Sequence, residues 1–202
     1  MGKYESKKPK KDRQSGEHTM LAYLHDIVYM LAAALLVFTC AVRIVTVSGS
    51  SMFDTLADGD YLLLLNRPLC GQLEQGDIVV ASMDRFKDGE AIVKRVIATE
   101  GQTVDIDFEQ GVVYVDGEAL EEDYTFTPTN HPEGGRFPVV VEEGCVFLMG
   151  DNRNGSWDSR DPLIGCVDRR EVLGKAILLL MPGTGEKQYM LPRDFGRIGG
   201  LN

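Results

Sequence analysis

Hydrophobic positions divide this chain into one long run and many short ones. Ile27 to Val42 carries no charged residue, and apolar residues continue to Val47 after Arg43. From Leu21 to Val47 the segment exceeds the ~20 residues that an α-helix needs to cross a hydrocarbon core. His25, Asp26 and Arg43 fall near its two ends, where charge is tolerated at an interface. Phe38 to Arg43 lacks the small-x-small pattern of a cleavage site, so the run predicts an uncleaved single-span anchor over 21–47.

The short runs that follow have the length and β-branched content of strands. They are Tyr61–Leu65, Ile78–Ala81, Ala91–Ala98, Thr103–Phe108, Gly111–Val115, Phe137–Val141, Cys145–Met149 and Glu171–Met181. Gly76-Asp77 and Asp116-Gly117 are turn signals beside them. No helical periodicity persists after residue 50. The pattern predicts an all-β domain of antiparallel sheets or a barrel over 48–202, behind one N-terminal membrane helix. Residues 116–140 are rich in acids, Pro and Gly and read as an exposed excursion. The tail from Gly183 reads as loosely ordered.

Composition adds direction. The 202 residues, 44% hydrophobic and 26% charged, fit one ordinary domain with an appendage. A net charge of −10 argues against nucleic-acid binding. Residues 1–20 run against that balance: Lys3, Lys7, Lys8, Lys10, Lys11 and Arg13 precede the apolar run. Such a segment cannot bury a core and is expected to be a disordered cytoplasmic tail, with the rest exported. The four cysteines form no CxxC pair, so no thiol metal site is expected. They read as small buried hydrophobes, with Cys145–Cys166 the one conceivable bridge. Of the three histidines only His131 sits where it could serve a triad, and its loop context reads as a solvated residue. No metal or organic cofactor is implied.

Three stretches carry candidate chemistry. Gly49-Ser50-Ser51-Met52 follows the apolar run, and a Gly/Ser turn there suits either a linker or a serine nucleophile. Lys94 and Arg95 interrupt a strand whose alternation sends them to opposite faces. Arginine stays protonated, whereas burial lowers a lysine's pKa and frees its amine to act as a base. A snorkelling edge lysine has the same pattern. Gly150 to Arg160 is dense in polar side chains, and Asp158 and Arg160 suit an ion pair.

Taken in order, Ser51-Met52 after an anchor, Gly76-Asp77-Ile78-Val79-Val80, Lys94-Arg95, and Gly150-Asp151-Asn152 through Ser156, Asp158, Ser159 and Arg160 resemble the bacterial type I signal peptidases, in their single-anchor Gram-positive form. The resemblance runs from the anchor to about Val167. It implies a membrane-bound serine endopeptidase that cuts signal peptides from exported preproteins after small residues at −1 and −3, through a Ser–Lys dyad and an acyl-enzyme. It makes Ser51 the nucleophile, Lys94 the general base and Ser156 the serine that orients the lysine. Asp158 and Arg160 become a structural ion pair, with Asp151 in the same loop. Gly49 stands where some members place an oxyanion-stabilising hydroxyl, which leaves the second oxyanion donor unassigned. Substrate would add as a strand near 49–53 and 91–94, with Met52 and Ile92 as contacts. Asp54 replaces a usual proline, and Ala98 to Gln102 replaces a Gly-x-Pro-Gly-Asp loop. Expected partners are preproteins, the bilayer and the secretion translocon. A self-cleaving repressor shares the Ser–Lys logic but has no anchor. A catalytically impaired, membrane-tethered binding protein of the same fold is the alternative.

Overall fold

The computed structural model describes residues 13–185 and 193–201. Of the disordered tail expected at 1–20, residues 1–12 lie outside them, and residues 13–20 are helical instead, continuous with the apolar helix that follows. The chain forms two compact units that meet in sequence at Cys40–Ala41.

The first unit is helix α1, Arg13–Ala41. Its stretch Met20–Ala41, 22 residues, is long and apolar enough to cross a membrane, with a rise of about 33 Å. Leu24, Leu31, Leu35 and Phe38 are all exposed. A helix apolar on every side suits lipid rather than a half-solvated position. The Thr39 hydroxyl donates back to the Leu35 and Leu36 carbonyls, so this hydroxyl is satisfied within the helix.

The helix differs from the expected 21–47 at both ends. It begins eight residues earlier and stops at Ala41, and Val42–Thr46 becomes strand β1. Val42, Ile44, Val45 and Thr46 are β-branched, and β1 finds an antiparallel partner in β2, Tyr61–Asn66. Pairing with a partner strand overrides the continuity of the apolar run.

The second unit is antiparallel throughout. Its remaining strands are β3 (Ile78–Ser82), β4 (Ala91–Thr99), β5 (Thr103–Asp107), β6 (Val112–Val115), β7 (Glu118–Ala119), β8 (Val139–Val140), β9 (Cys145–Met149), β10 (Val167–Asp168), β11 (Val172–Met181) and β12 (Gly199–Gly200). The large sheet runs β1-β2-β11-β3-β4-β9-β10, with β12 added to β11, and a small sheet runs β7-β6-β5-β8. One core cluster holds Val47, Met52, Leu56, Leu62 and Leu64 against Ile78 and Val80. A second fills the other side of β3 and β4 with Val79, Met83, Phe86 and Leu148. The third sits between β4, β9 and the small sheet.

Strand β4 sets up the site. It pairs with β3 from Ala91 to Arg95, but with β9 only from Arg95 onward. Ala91 to Lys94 therefore leave one ladder edge open.

Two expectations about the periphery change. Residues 116–140 are not simply an exposed excursion. They supply β7 and β8, and Thr129 is buried. The Phe126 N–H donates to the Asp151 carbonyl, and Glu122 pairs with Arg153. One of their acids, Glu122, faces the buried Arg153, which composition alone does not reveal. The tail beyond Gly183 is partly built into the domain: Gly183 is buried and β12 pairs with β11. Residues 186–192 lie outside the described residues. All four cysteines are free, so Cys145 and Cys166 are not bridged. His131 is exposed, as a loop residue should be.

Candidate active site

The turn after β1 is fixed from within. Gly49 adopts φ 88°, a left-handed conformation open to glycine. The Phe53 N–H donates to the Ser50 carbonyl and the Leu56 N–H to the Met52 carbonyl. Met52 and Leu56 are buried in the core cluster beneath, and this anchors the turn while Ser51 stays half-buried at its top. Among the described residues the Ser51 N–H has no acceptor.

Lys94 reaches the same point from β4. Its Nζ lies 2.7 Å from Ser51 Oγ and 3.0 Å from the Val93 carbonyl oxygen. The side chain is only 3% exposed, and burial pulls its pKa from the ordinary 10.5 down to about 8. Asp158 and Asp151 oppose that shift, while Arg160 and Lys87 add to it. Each of the two carboxylates is already neutralised by its own guanidinium, so neither holds the lysine charged.

Those guanidiniums form the frame. Asp158 takes a bidentate contact from Arg160, Nε to Oδ1 at 2.8 Å and Nη2 to Oδ2 at 2.9 Å. It also accepts the Gly150 N–H. Asp151 takes a second bidentate contact from Arg95, at 2.9 and 2.8 Å. All four side chains are buried. Planar forks facing carboxylates satisfy both partners and fix their orientation. Arg95 also lies 4.0 Å from the Tyr124 ring centroid, and Thr55 Oγ1 donates to Asp151 Oδ2 at 2.6 Å. The polar loop is thus wired to the serine turn on one side and to the lysine strand on the other.

The cleft between them measures about 510 Å³. Ser51, Lys94, Gly49, Ser156, Met52 and Ile92 all line it. Two of these, Ser156 and Met52, differ from expectation. Ser156 is buried, yet among the described residues its Oγ has no hydrogen-bond partner; Lys94 Nζ donates to the Val93 carbonyl instead. The Gly49 N–H donates to Asp58 Oδ1 at 2.9 Å, so that N–H is satisfied within the turn. Met52 is 1% exposed, a core residue that touches the cleft wall.

Sequence reasoning missed Asn152. Its N–H donates to the Ser51 carbonyl at 3.0 Å and its Nδ2 to the Ser50 carbonyl at 3.1 Å. The partnership of Arg95 with Asp151 was missed too. The sequence signalled the need but not the partner: an arginine in a buried run requires a counter-ion. Among the described residues no group of His, Cys, Asp or Glu is arranged to hold a metal ion.

A serine hydroxyl touching a buried amine, on an antiparallel β scaffold, is the equipment of a serine hydrolase. The family Signal peptidase, peptidase S26, matches residues 20–181. Probable signal peptidase I-1 of Synechocystis sp. is 34% identical over 165 residues, 78% of this chain and 80% of that protein. Signal peptidase I of Bacillus amyloliquefaciens is 33% identical over 165 residues, 77% of this chain and 82% of that one. Signal peptidase I T of Bacillus subtilis is 32% identical over 180 residues, covering 85% and 90%. A crystal structure of a signal peptidase I from Enterococcus faecalis aligns with 52% of this chain and 96% of that chain at 28% identity, with a TM-score of 0.43. The chain belongs to the signal peptidase family, peptidase S26: it is a serine endopeptidase that removes signal peptides.

Proposed function

We propose that Ser51 and Lys94 form the catalytic dyad and that the chain works as a single-span membrane enzyme. The observation that carries this reading is the 2.7 Å approach of Lys94 Nζ to Ser51 Oγ inside the cleft. In its neutral form the amine accepts the Ser51 proton as Oγ attacks the scissile carbonyl. The Ser51 N–H faces the developing oxyanion. The C–N bond then breaks, the new amine takes the proton from Lys94, and the acyl group remains as an ester on Ser51. Lys94 next removes a proton from water, and hydrolysis returns Ser51 to its hydroxyl form. Asp158–Arg160 and Asp151–Arg95 hold this geometry, and Ser156 closes the cleft beside Lys94.

The substrate lies extended against the open edge of β4, gaining main-chain hydrogen bonds from Ala91 to Lys94. The walls around Ser51 carry Val45, Val47, Val80, Ile92 and Val93. Branched side chains this close leave room for small residues at −1 and −3. Helix α1 supplies the anchor, and the lysines before it place the N-terminus in the cytoplasm with the β domain outside.

The test is cleavage of a preprotein with a small-x-small site by the detergent-solubilised chain, with the cut located by mass spectrometry. Cleavage after the −1 residue, lost in Ser51→Ala and Lys94→Met, supports the dyad. Binding without cleavage by the unmutated chain, across substrates and pH, would instead establish a tethered binding protein of this fold.

A further inference from the structure

Behind the Ser51 turn, the end of the chain folds back on it. After β11 the Gly183 N–H donates to Asp60 Oδ1 at 2.6 Å, and the Gly185 N–H donates to the Asp58 carbonyl at 3.0 Å. A Cβ at position 183 would stand 2.2 Å from that carbonyl oxygen, so the close approach requires glycine. Further along, β12 rejoins β11 and brings in Arg197. Its Nη2 donates to Asp60 Oδ2 at 2.8 Å and to the Thr55 carbonyl at 2.9 Å. Asp60 is fully buried, and among the described residues Arg197 is the cation paired with it.

These contacts converge on the segment that carries Ser51. Asp60 accepts the Ala57 N–H on its carboxylate and the Val47 N–H on its carbonyl. Asp58 holds the Gly49 N–H. The Thr55 hydroxyl holds Asp151. Residues 47 to 60 are therefore pinned at both ends and at Thr55, and one guanidinium from beyond the family match supports two of those points.

We infer that Arg197 is a positioning residue for the Ser51 nucleophile turn, acting through Asp60 and the Thr55 carbonyl. A planar fork can bridge a carboxylate and a carbonyl at once, which a lysine ammonium at the end of a flexible stem does poorly. Losing it leaves the Asp60 carboxylate buried without its cation and releases the turn four residues from Ser51. The inference rests on Ser51 as the nucleophile.

The test uses the full, detergent-solubilised chain with Arg197→Met and Arg197→Lys. Two readouts go beyond stability: amide hydrogen exchange over residues 49–57, and kcat per serine titrated with an acylating probe. Both variants are expected to exchange faster at 49–57. Their kcat per titrated serine falls by about tenfold, the scale of a displacement under 1 Å, while KM stays within about twofold. Added guanidinium restores part of kcat in Arg197→Met. A lowered melting temperature with kcat per titrated serine unchanged would overturn the inference, because the brace would then only hold the fold together. If the unmutated chain has no turnover, the dyad reading fails separately. Exchange then decides: unchanged protection at 49–57 overturns the positioning role, and faster exchange upholds it.

Discussion

At the scale of single residues, the account turns on how Lys94 is kept available as a base. A lysine with a pKa of about 8 is neutral in roughly one molecule in ten at pH 7, a useful fraction for a general base. Its burial would be ruinous without partners, and the Ser51 hydroxyl and Val93 carbonyl supply them. Gly150 guards the same space. A Cβ there would lie 2.2 Å from Ser156 Oγ and 2.4 Å from the Ser51 carbonyl oxygen. Gly150→Ala is therefore expected to displace the serine turn and cut kcat by about 100-fold. Steady-state kinetics beside a melting curve will show whether the loss exceeds any loss of folded protein. Taken alone, Ser51 read equally as part of a linker and Lys94 as a snorkelling edge lysine; the order of the motifs singled them out, and the structure places their side chains 2.7 Å apart. Ser156 was expected to orient Lys94, yet its Oγ has no hydrogen-bond partner among the described residues, because that contact depends on a rotamer that no sequence pattern encodes.

At the scale of elements, β4 divides the work between its two faces. Lys94 goes to the cleft and Arg95 to the frame, as the period of two requires. The Arg95–Asp151 pair joins β4 to the loop after β9, and both side chains are buried. Removing one partner of such a pair leaves the other charge stranded, at a cost of about 3–5 kcal/mol. Arg95→Met is expected to show that loss in denaturant unfolding, with activity falling alongside it. Lys87→Met, at an exposed ion pair with Glu90, is expected to change stability by less than about 1 kcal/mol. Strand positions and the Asp158–Arg160 pair could be read from alternation and spacing. The Arg95–Asp151 and Arg153–Glu122 pairs could not, because their partners stand 56 and 31 residues apart and only the fold brings them together.

At the scale of the whole molecule, the errors of sequence reading fall where tertiary pairing overrules local composition. Val42 to Thr46 looked like the end of a membrane run and became β1, because Leu62 to Leu65 offered it a ladder. Residues 116–140 looked like a solvated excursion, yet Glu122 and Thr129 close around Arg153. The segment beyond Gly183 looked loose, yet Arg197 reaches Asp60 across 137 positions. The apolar helix and the antiparallel domain were legible because one is written as an unbroken apolar run and the other as short β-branched runs between turn signals. These outer segments were not, because β1 is held by its ladder with β2 and the other two by a few buried polar contacts rather than by an apolar pattern.

The most direct test of the Ser–Lys dyad is the rate at which an acylating probe modifies the detergent-solubilised enzyme from pH 5 to pH 10, with the modified residue identified by mass spectrometry. Lys94 must lose its proton to act, and burial depresses its pKa, so the rate should rise through a single titration near pH 8 and level off above it. The label should sit on Ser51, and Lys94→Met should abolish the reaction across the range. A pH-independent rate, a label on another residue, or undiminished acylation in Lys94→Met would contradict the account.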